Sequence, residues 1–349
     1  MEHITRRDEK AMSTRFGSAT MRSAAAYLAV AGALGLAACG GDDESPGAAA
    51  GGGGGEAAAD GGAKALTVGM PQPFGGDQGT LALTAGLKCW AQGDNATVKT
   101  ADANIDPNKQ ITDFNSFLAQ QVDGIVTIPL NDQGLFASYT KAEQQGVATV
   151  TVGPPAEGSP AGAVVGDFND DLGKASADAL ADALPEGGKV LIIGGPPQIL
   201  AVSQRVDAFK AQAKTRGLEV LEQQNSMKAT PDDARTIAAS LFSKHRDADA
   251  IWGVNSDIAS GGGLAARAAG KPDLKVVGIA ASPVAIKQLQ AGNIDMIVDD
   301  RSYESGEDAG RAIRAQAAGR EFTPAPFEVK VYDKETAGEY VSFDKRCAS

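Results

Sequence analysis

The sequence predicts an α/β protein built from two doubly wound, parallel-sheet lobes. Three observations predict it. Short β-branched runs alternate with amphipathic helical patterns, the order that produces sheets covered by helices. Several of the runs are apolar throughout rather than alternating, as in strands buried on both faces. About ten such runs occur, too many for one tidy sheet, so two lobes are expected.

The chain opens with a leader. The apolar run AAAYLAVAGALGLAA, residues 24–38, is shorter than the roughly 20 residues that span a membrane. Arg22 precedes it and small residues close it, which is the pattern of a signal peptide over 1–38. The methionines at 12 and 21 are alternative starts. Leu36-Ala37-Ala38-Cys39 resembles the bacterial lipobox, in which the cysteine becomes the lipid-bearing first residue. Cys39 is therefore the expected lipid attachment point. Residues 39–63 are glycine, alanine and acid with no large apolar side chain. Such a segment cannot offset its ordering entropy, so it reads as a flexible tether.

The folded part starts near Ala65. The strand candidates, in order, are LTVGM, ATVKT, GIVTI, ATVTV, AVVG, KVLIIG, LEVLEQ, AIWGV, KVVGIA and MIVDD. Helices between them carry recognisable ends. Asp106, Thr230 and Ser282 each precede a proline at the first helical position. Ile111, Phe114 and Leu118 fall on one face, as do Val202, Val206, Phe209 and Ala213, whose helix stops at Gly217. Trp90 and Trp252 read as core residues. No internal sequence repeat is visible.

Charge and composition exclude several functions. The formal charge is −12, and because residues before Cys39 carry five basic and three acidic groups, the remainder is at −14. Nucleic-acid binders concentrate Lys and Arg instead, so no nucleic-acid partner is expected. Beyond the leader the one histidine is His245, beside Lys244 and Arg246 at a helix end, where it suits the helix dipole. No Cys-x-x-Cys or paired-histidine spacing suggests a metal. Gly261-Gly262-Gly263 lies inside a helical pattern, and the prolines of GGPPQI remove the amides that a phosphate cradle needs. An enzyme, a metal and an organic cofactor are all unexpected.

In open α/β sheets, ligands bind beyond the carboxyl ends of strands. The polar residues just after each run are therefore the site candidates. Asn169, Ser256 and Ser282 also fit helix N-caps.

From about Ala65 to Phe327 the order of segments resembles the periplasmic sugar-binding proteins of the ribose-binding type, the type I solute-binding proteins of ABC transporters. The stretches that carry it include PQPF, LAQQVDGIVTIPLN, QRVDAFKAQ, AIWGVNSDIASGGGLAARAAGK and KVVGIAASPVAIKQLQAGNIDMIVDD. The resemblance implies two lobes joined by a hinge, 64–168 plus 301–328 and 169–300 plus 329–349. It implies capture of a small polar ligand, a sugar, polyol or relative, in the cleft between them. Gln72 and Phe74 fall at a polar contact and a ring-stacking aromatic. Arg205 and Asn255 fall at ligand-binding positions, and Asp300 at a final polar one. Thr151, near the end of the fourth run, and Asn169, beyond the fifth, complete the candidate set. Two positions depart: Thr151-Val152 replaces an Asp-Arg pair, and Ala280 replaces an aspartate. The implied partners are an ABC permease and ATPase, with the protein a lipid-anchored monomer on the extracytoplasmic side. A sensory protein presenting its ligand to a membrane receptor, or a binder of a non-sugar metabolite, is the alternative. Cys89 and Cys347 then lie in an oxidising compartment. Either they pair and tie the tail to the first lobe, or Cys89 is a buried free thiol.

Overall fold

The computed structural model describes residues 64–347. The expected signal peptide, the lipid attachment expected at Cys39 and the expected tether all lie outside the described residues. Strands and helices alternate from the start. They run β1 (Leu66–Gln72), α1 (Gln78–Gly93), β2 (Ala96–Asp102), α2 (Pro107–Ala119), β3 (Gly124–Thr127), α3 (Asp132–Gln144), β4 (Ala148–Val152) and β5 (Ala163–Val165). These five strands form one parallel sheet in the order β2-β1-β3-β4-β5.

The chain then crosses to a second sheet. Its elements are α4 (Asn169–Ala183), β6 (Gly188–Gly194), α5 (Leu200–Thr215), β7 (Leu218–Asn225), α6 (Pro231–Lys244), β8 (Ala250–Gly253), α7 (Ser256–Ala268), β9 (Lys275–Ile279), α8 (Pro283–Gln290) and β10 (Met296–Asp299). It crosses back for α9 (Ser302–Ala317), which packs on α1 and β4 of the first lobe. It returns once more for β11 (Lys330–Tyr332), antiparallel to β10 at the edge of the second sheet. That sheet is ordered β11-β10-β9-β8-β6-β7. Both lobes thus wind alike, with the second strand on one side of the first and the later strands on the other. The repeat is one of winding, without a sequence repeat beneath it.

Local chemistry explains the elements. Asp106, Thr230 and Ser282 cap α2, α6 and α8 by accepting backbone N–H groups, with proline next in each. Asn255 rather than Ser256 caps α7, and Asn169 opens α4 without capping it. Gly217 takes φ +78 after α5, a left-handed stop that glycine adopts without a Cβ penalty. The first lobe buries one cluster on each face of its sheet, Leu83 and Ile313 in one and Phe114 and Tyr139 in the other. Trp252 is fully buried in the second lobe, stacked on Phe209 at 4.5 Å, and its Nε1–H donates to Ser176 Oγ at 2.8 Å. Trp90 is partly buried against the first-lobe core.

Helices α1 and α9 approach closely through reciprocal glycines. A Cβ on Gly86 would stand 1.9 Å from the Tyr303 carbonyl, and one on Gly306 would stand 2.0 Å from that of Leu83.

The tail divides between the lobes. Beyond β11, Ala337 is buried in the second-lobe core, whereas α10 (Phe343–Arg346) returns to α1. A disulfide joins Cys347 to Cys89 of α1, with the Cα atoms 5.3 Å apart.

Candidate ligand cleft

In each sheet the strand order reverses beside the first strand, between β1 and β3 and between β6 and β8. The loops leaving neighbouring carboxyl ends diverge there and open a crevice. The two crevices face one another across a cleft of about 1100 Å³, its open mouth included. Pro73, Phe74 and Ile128 follow β1 and β3 on one wall. Gly195 and Val254 follow β6 and β8 on the other, and Asp300 follows β10 where the chain crosses.

Gln110 braces the first wall. It is buried, and its Nε2 donates to the Pro71 and Ile128 carbonyls at 3.1 and 2.8 Å. Its Oε1 accepts the Leu130 N–H at 2.8 Å. One side chain therefore fixes the loops after both β1 and β3.

Five of the seven sequence-predicted site residues line the cleft: Phe74, Asn169, Arg205, Asn255 and Asp300. Arg205 is central. Its Nε–H donates to Asn169 Oδ1 at 2.7 Å, and its Nη2 lies 3.9 Å from Asp300 Oδ2. Burial lowers the arginine's affinity for its proton, while Asp300 and Asp77 oppose that trend. Asp300 also accepts from Ser302, N–H at 3.2 Å and Oγ–H at 2.8 Å, so Ser302 holds the carboxylate in place. Asn255 uses its Oδ1 to accept the Ile258 N–H at 2.9 Å as the α7 cap. Its amide N–H groups are then its means of meeting a ligand.

The structure does not bring Gln72 or Thr151 to the cleft. Gln72 is buried inside the first lobe and donates to Thr84 Oγ1 at 2.8 Å. Thr151 is fully buried and donates to the Tyr139 hydroxyl at 3.3 Å, which in turn donates to Asp132 Oδ1 at 3.1 Å. Successive strand residues point to opposite faces, so Val152, the next residue, reaches the cleft instead. Thr151 still supports the cleft indirectly, because Asp132 Oδ2 accepts the Ala156 N–H at 2.9 Å and holds the loop after β4.

Asp77 is a cleft residue that sequence reasoning missed. It caps α1, accepting the Thr80 N–H at 2.8 Å. Burial raises its pKa first of all, the Thr80 N–H opposes this, and Asp300 adds to it. The signal was present as Asp-Gln-Gly-Thr, an N-cap directly after the β1 loop. Asp257 of α7 lies close enough to the Gln78 N–H of α1, on the other lobe, for that dipole to favour its ionised form. Burial, and secondarily Asp77, pushes the Asp257 carboxyl up to about 6.

Fold and cleft together are those of a two-lobed, crevice-forming binding protein. The chain belongs to the family of the periplasmic binding protein domain, which it matches over residues 68–321. It is 27% identical over 218 residues to the ribose import binding protein RbsB of Bacillus subtilis, covering 62% of this chain and 70% of that one. It is 25% identical over 253 residues to the fructose import binding protein FruE of Bifidobacterium longum, covering 70% and 76%. Among solved structures, an ABC transporter solute-binding protein from Mycobacterium smegmatis with bound glycerol superimposes at TM-score 0.72. That protein is 26% identical, over 79% of this chain and 96% of the other. A periplasmic solute-binding protein from Actinobacillus succinogenes with bound D-allose shares the fold at TM-score 0.73 and 18% identity, over 79% and 100%.

Proposed function

We propose that the protein is the extracytoplasmic solute-binding component of an ABC importer, capturing a sugar, a polyol or a related polar molecule between its lobes. One observation carries this reading: Arg205, Asn169 and Asp300 converge where strand ends of both lobes meet. Arg205 supplies a planar fork of donors, Asp300 supplies acceptors and Asn255 supplies an amide, a set suited to neighbouring hydroxyls. Phe74 gives the apolar face of a sugar ring a surface to stack on. Closure is a hinge motion about the crossings, which supports a division into 64–168 plus 301–328 and 169–300 with the strand-forming part of the tail. Cys39 is the proposed lipid anchor and residues 39–63 the leash to the membrane. The proposed partners are the permease and ATPase of the importer, served by a monomeric binding protein.

A second reading is a less hydroxylated metabolite. Val152 and Ala280 favour it, since both present apolar surface to the cleft. A thermal-shift screen across sugars, polyols, amino acids and nucleosides separates the two. Stabilisation by sugars or polyols is the expected result; stabilisation by amino acids alone sinks the sugar-like reading. Intact mass of membrane-extracted protein tests the anchor, the expected species beginning at a diacylated Cys39.

A further inference from the structure

Among the described residues, three segments cross between the lobes, at 166–168, 300–301 and 318–329. The tail makes a fourth link, and it ends in a covalent bond. Tyr340 packs against the second-lobe core and edge-on to Tyr332 of β11, with ring centroids 5.6 Å apart. Seven residues on, Cys347 is bonded to Cys89 of α1 in the first lobe. Between these anchors Arg346 touches both lobes. Its guanidinium lies 5.2 Å from the ring centre of Tyr303, on α9 of the first lobe, and 5.6 Å from that of Tyr340. Its Nη1 donates to Glu304 Oε1 at 2.7 Å, and its Nε donates to the Val341 carbonyl at 2.9 Å. One cation therefore holds an aromatic ring from each lobe.

We propose that residues 340–347 form a strap that limits how far the lobes move relative to one another, with the Cys89–Cys347 bond as its anchor and Arg346 as its clasp. The strap rests on the hinge-closure reading but not on which ligand is bound. Its reach is short. The four residues of α10 rise about 1.5 Å each in the helix and about 3.3 Å each when extended, so melting them adds only about 7 Å. Losing the clasp releases that slack. Losing the bond releases the tail entirely. A disulfide that merely stapled one lobe would have both ends in that lobe, whereas this one fixes a segment whose other end is held in the second core. The strap also lies within electrostatic range of Asp299, the residue before Asp300, because the charge of Arg346 and the hydroxyl of Tyr340 both act on that carboxylate.

The test is the interlobe distance distribution of the ligand-free full chain. Spin labels on a ketone-bearing unnatural amino acid replace Lys141 of α3 and Lys214 of α5, exposed positions on opposite lobes. Double electron–electron resonance should give a narrow distribution for the oxidised protein. Arg346→Ala, with the bond intact, should add a shoulder reaching about 7 Å beyond it. The pair Cys89→Ser, Cys347→Ser should widen the distribution at least about two-fold. Superimposable distributions in all three proteins overturn the strap, even if the serine pair melts at a lower temperature. If the serine pair fails to fold, Arg346→Ala decides alone. Failure of the strap leaves the ligand screen untouched, and failure of the screen leaves these distances unchanged.

Discussion

The Nε–H of Arg205 meets Asn169 Oδ1 at 2.7 Å, and this contact turns the rest of the guanidinium toward Asp300. The asparagine orients and the arginine presents its donors. Arg205→Ala is expected to lower ligand affinity at least about 100-fold, because buried hydroxyls would lose charge-assisted partners. Arg205→Lys should lose nearly as much, since a point charge cannot replace a fork. Truncation at Arg205 leaves room for water to reach Asp300 and Asp77 in its place, so the ligand-free melting temperature should move by only a few degrees. Isothermal titration with whichever compound the thermal screen returns checks this. Unchanged affinity would remove Arg205 from the site.

Phe74 is half-buried on the cleft wall of the first lobe. If it stacks on a sugar ring, Phe74→Ala should weaken binding about tenfold and Phe74→Leu by less, because a flat aromatic face contributes beyond its area. Equal losses for the two variants would mean that only apolar contact is at work there.

Much of this architecture was legible because strand and helix patterns are periodic. All ten apolar runs became strands, and the proline-marked caps start α2, α6 and α8. The strand at Lys330–Tyr332 was not legible: three residues at a sheet edge carry no usable period. The site was harder for a related reason. A strand end places one residue toward the cleft and the next away from it, and sequence alone does not say which. Thr151 and Val152 are the instance, the threonine turned to Tyr139 and the valine to the cleft. Asp299 and Asp300 are the same problem resolved the other way, with Asp300 lining the cleft and Asp299 accepting the Arg301 N–H at 3.0 Å. Asp77 is less legible because no proline marks the first turn of α1, as one does in α2, α6 and α8.

Asp299 makes stability depend on pH. Burial, with Asp300 next, pushes its carboxyl up to about 7. A raised folded pKa means that the native state binds the proton more tightly than the unfolded chain does. The contribution is then fully present below the unfolded value of about 3.9 and is lost as pH rises through about 7. Asp257, pushed up to about 6, acts in the same direction and loses its share slightly earlier. Asp299→Asn keeps an oxygen for the Arg301 N–H and removes the charge. It should match the parent protein near pH 4 and exceed it at pH 8 by on the order of 2–4 kcal/mol. Urea unfolding at pH 4.5, 6 and 8 checks this; an equal difference at all three values would show Asp299 ionising as an ordinary carboxylate.

Helices α1 and α9 carry cleft residues at their starts, Asp77 as the α1 cap and Ser302 as the residue holding Asp300. Their spacing is set by Gly86 and Gly306, each facing the other helix's carbonyl at a distance no Cβ can share. In an isolated helix Gly→Ala gains about 1 kcal/mol from backbone propensity. Here the added methyl meets backbone, which cannot rotate away as a side chain would. Gly86→Ala should therefore cost about 2–4 kcal/mol, an overpacking penalty set against that gain. Gly306→Ala should do the same, and the double variant should cost less than the sum, because the first methyl already wedges the helices apart. The wedge should also weaken ligand binding by displacing Asp77 and Ser302 together. Chemical denaturation of the three variants measures the coupling, and a neutral or stabilising Gly86→Ala would show that the helices do not pack at this distance in solution.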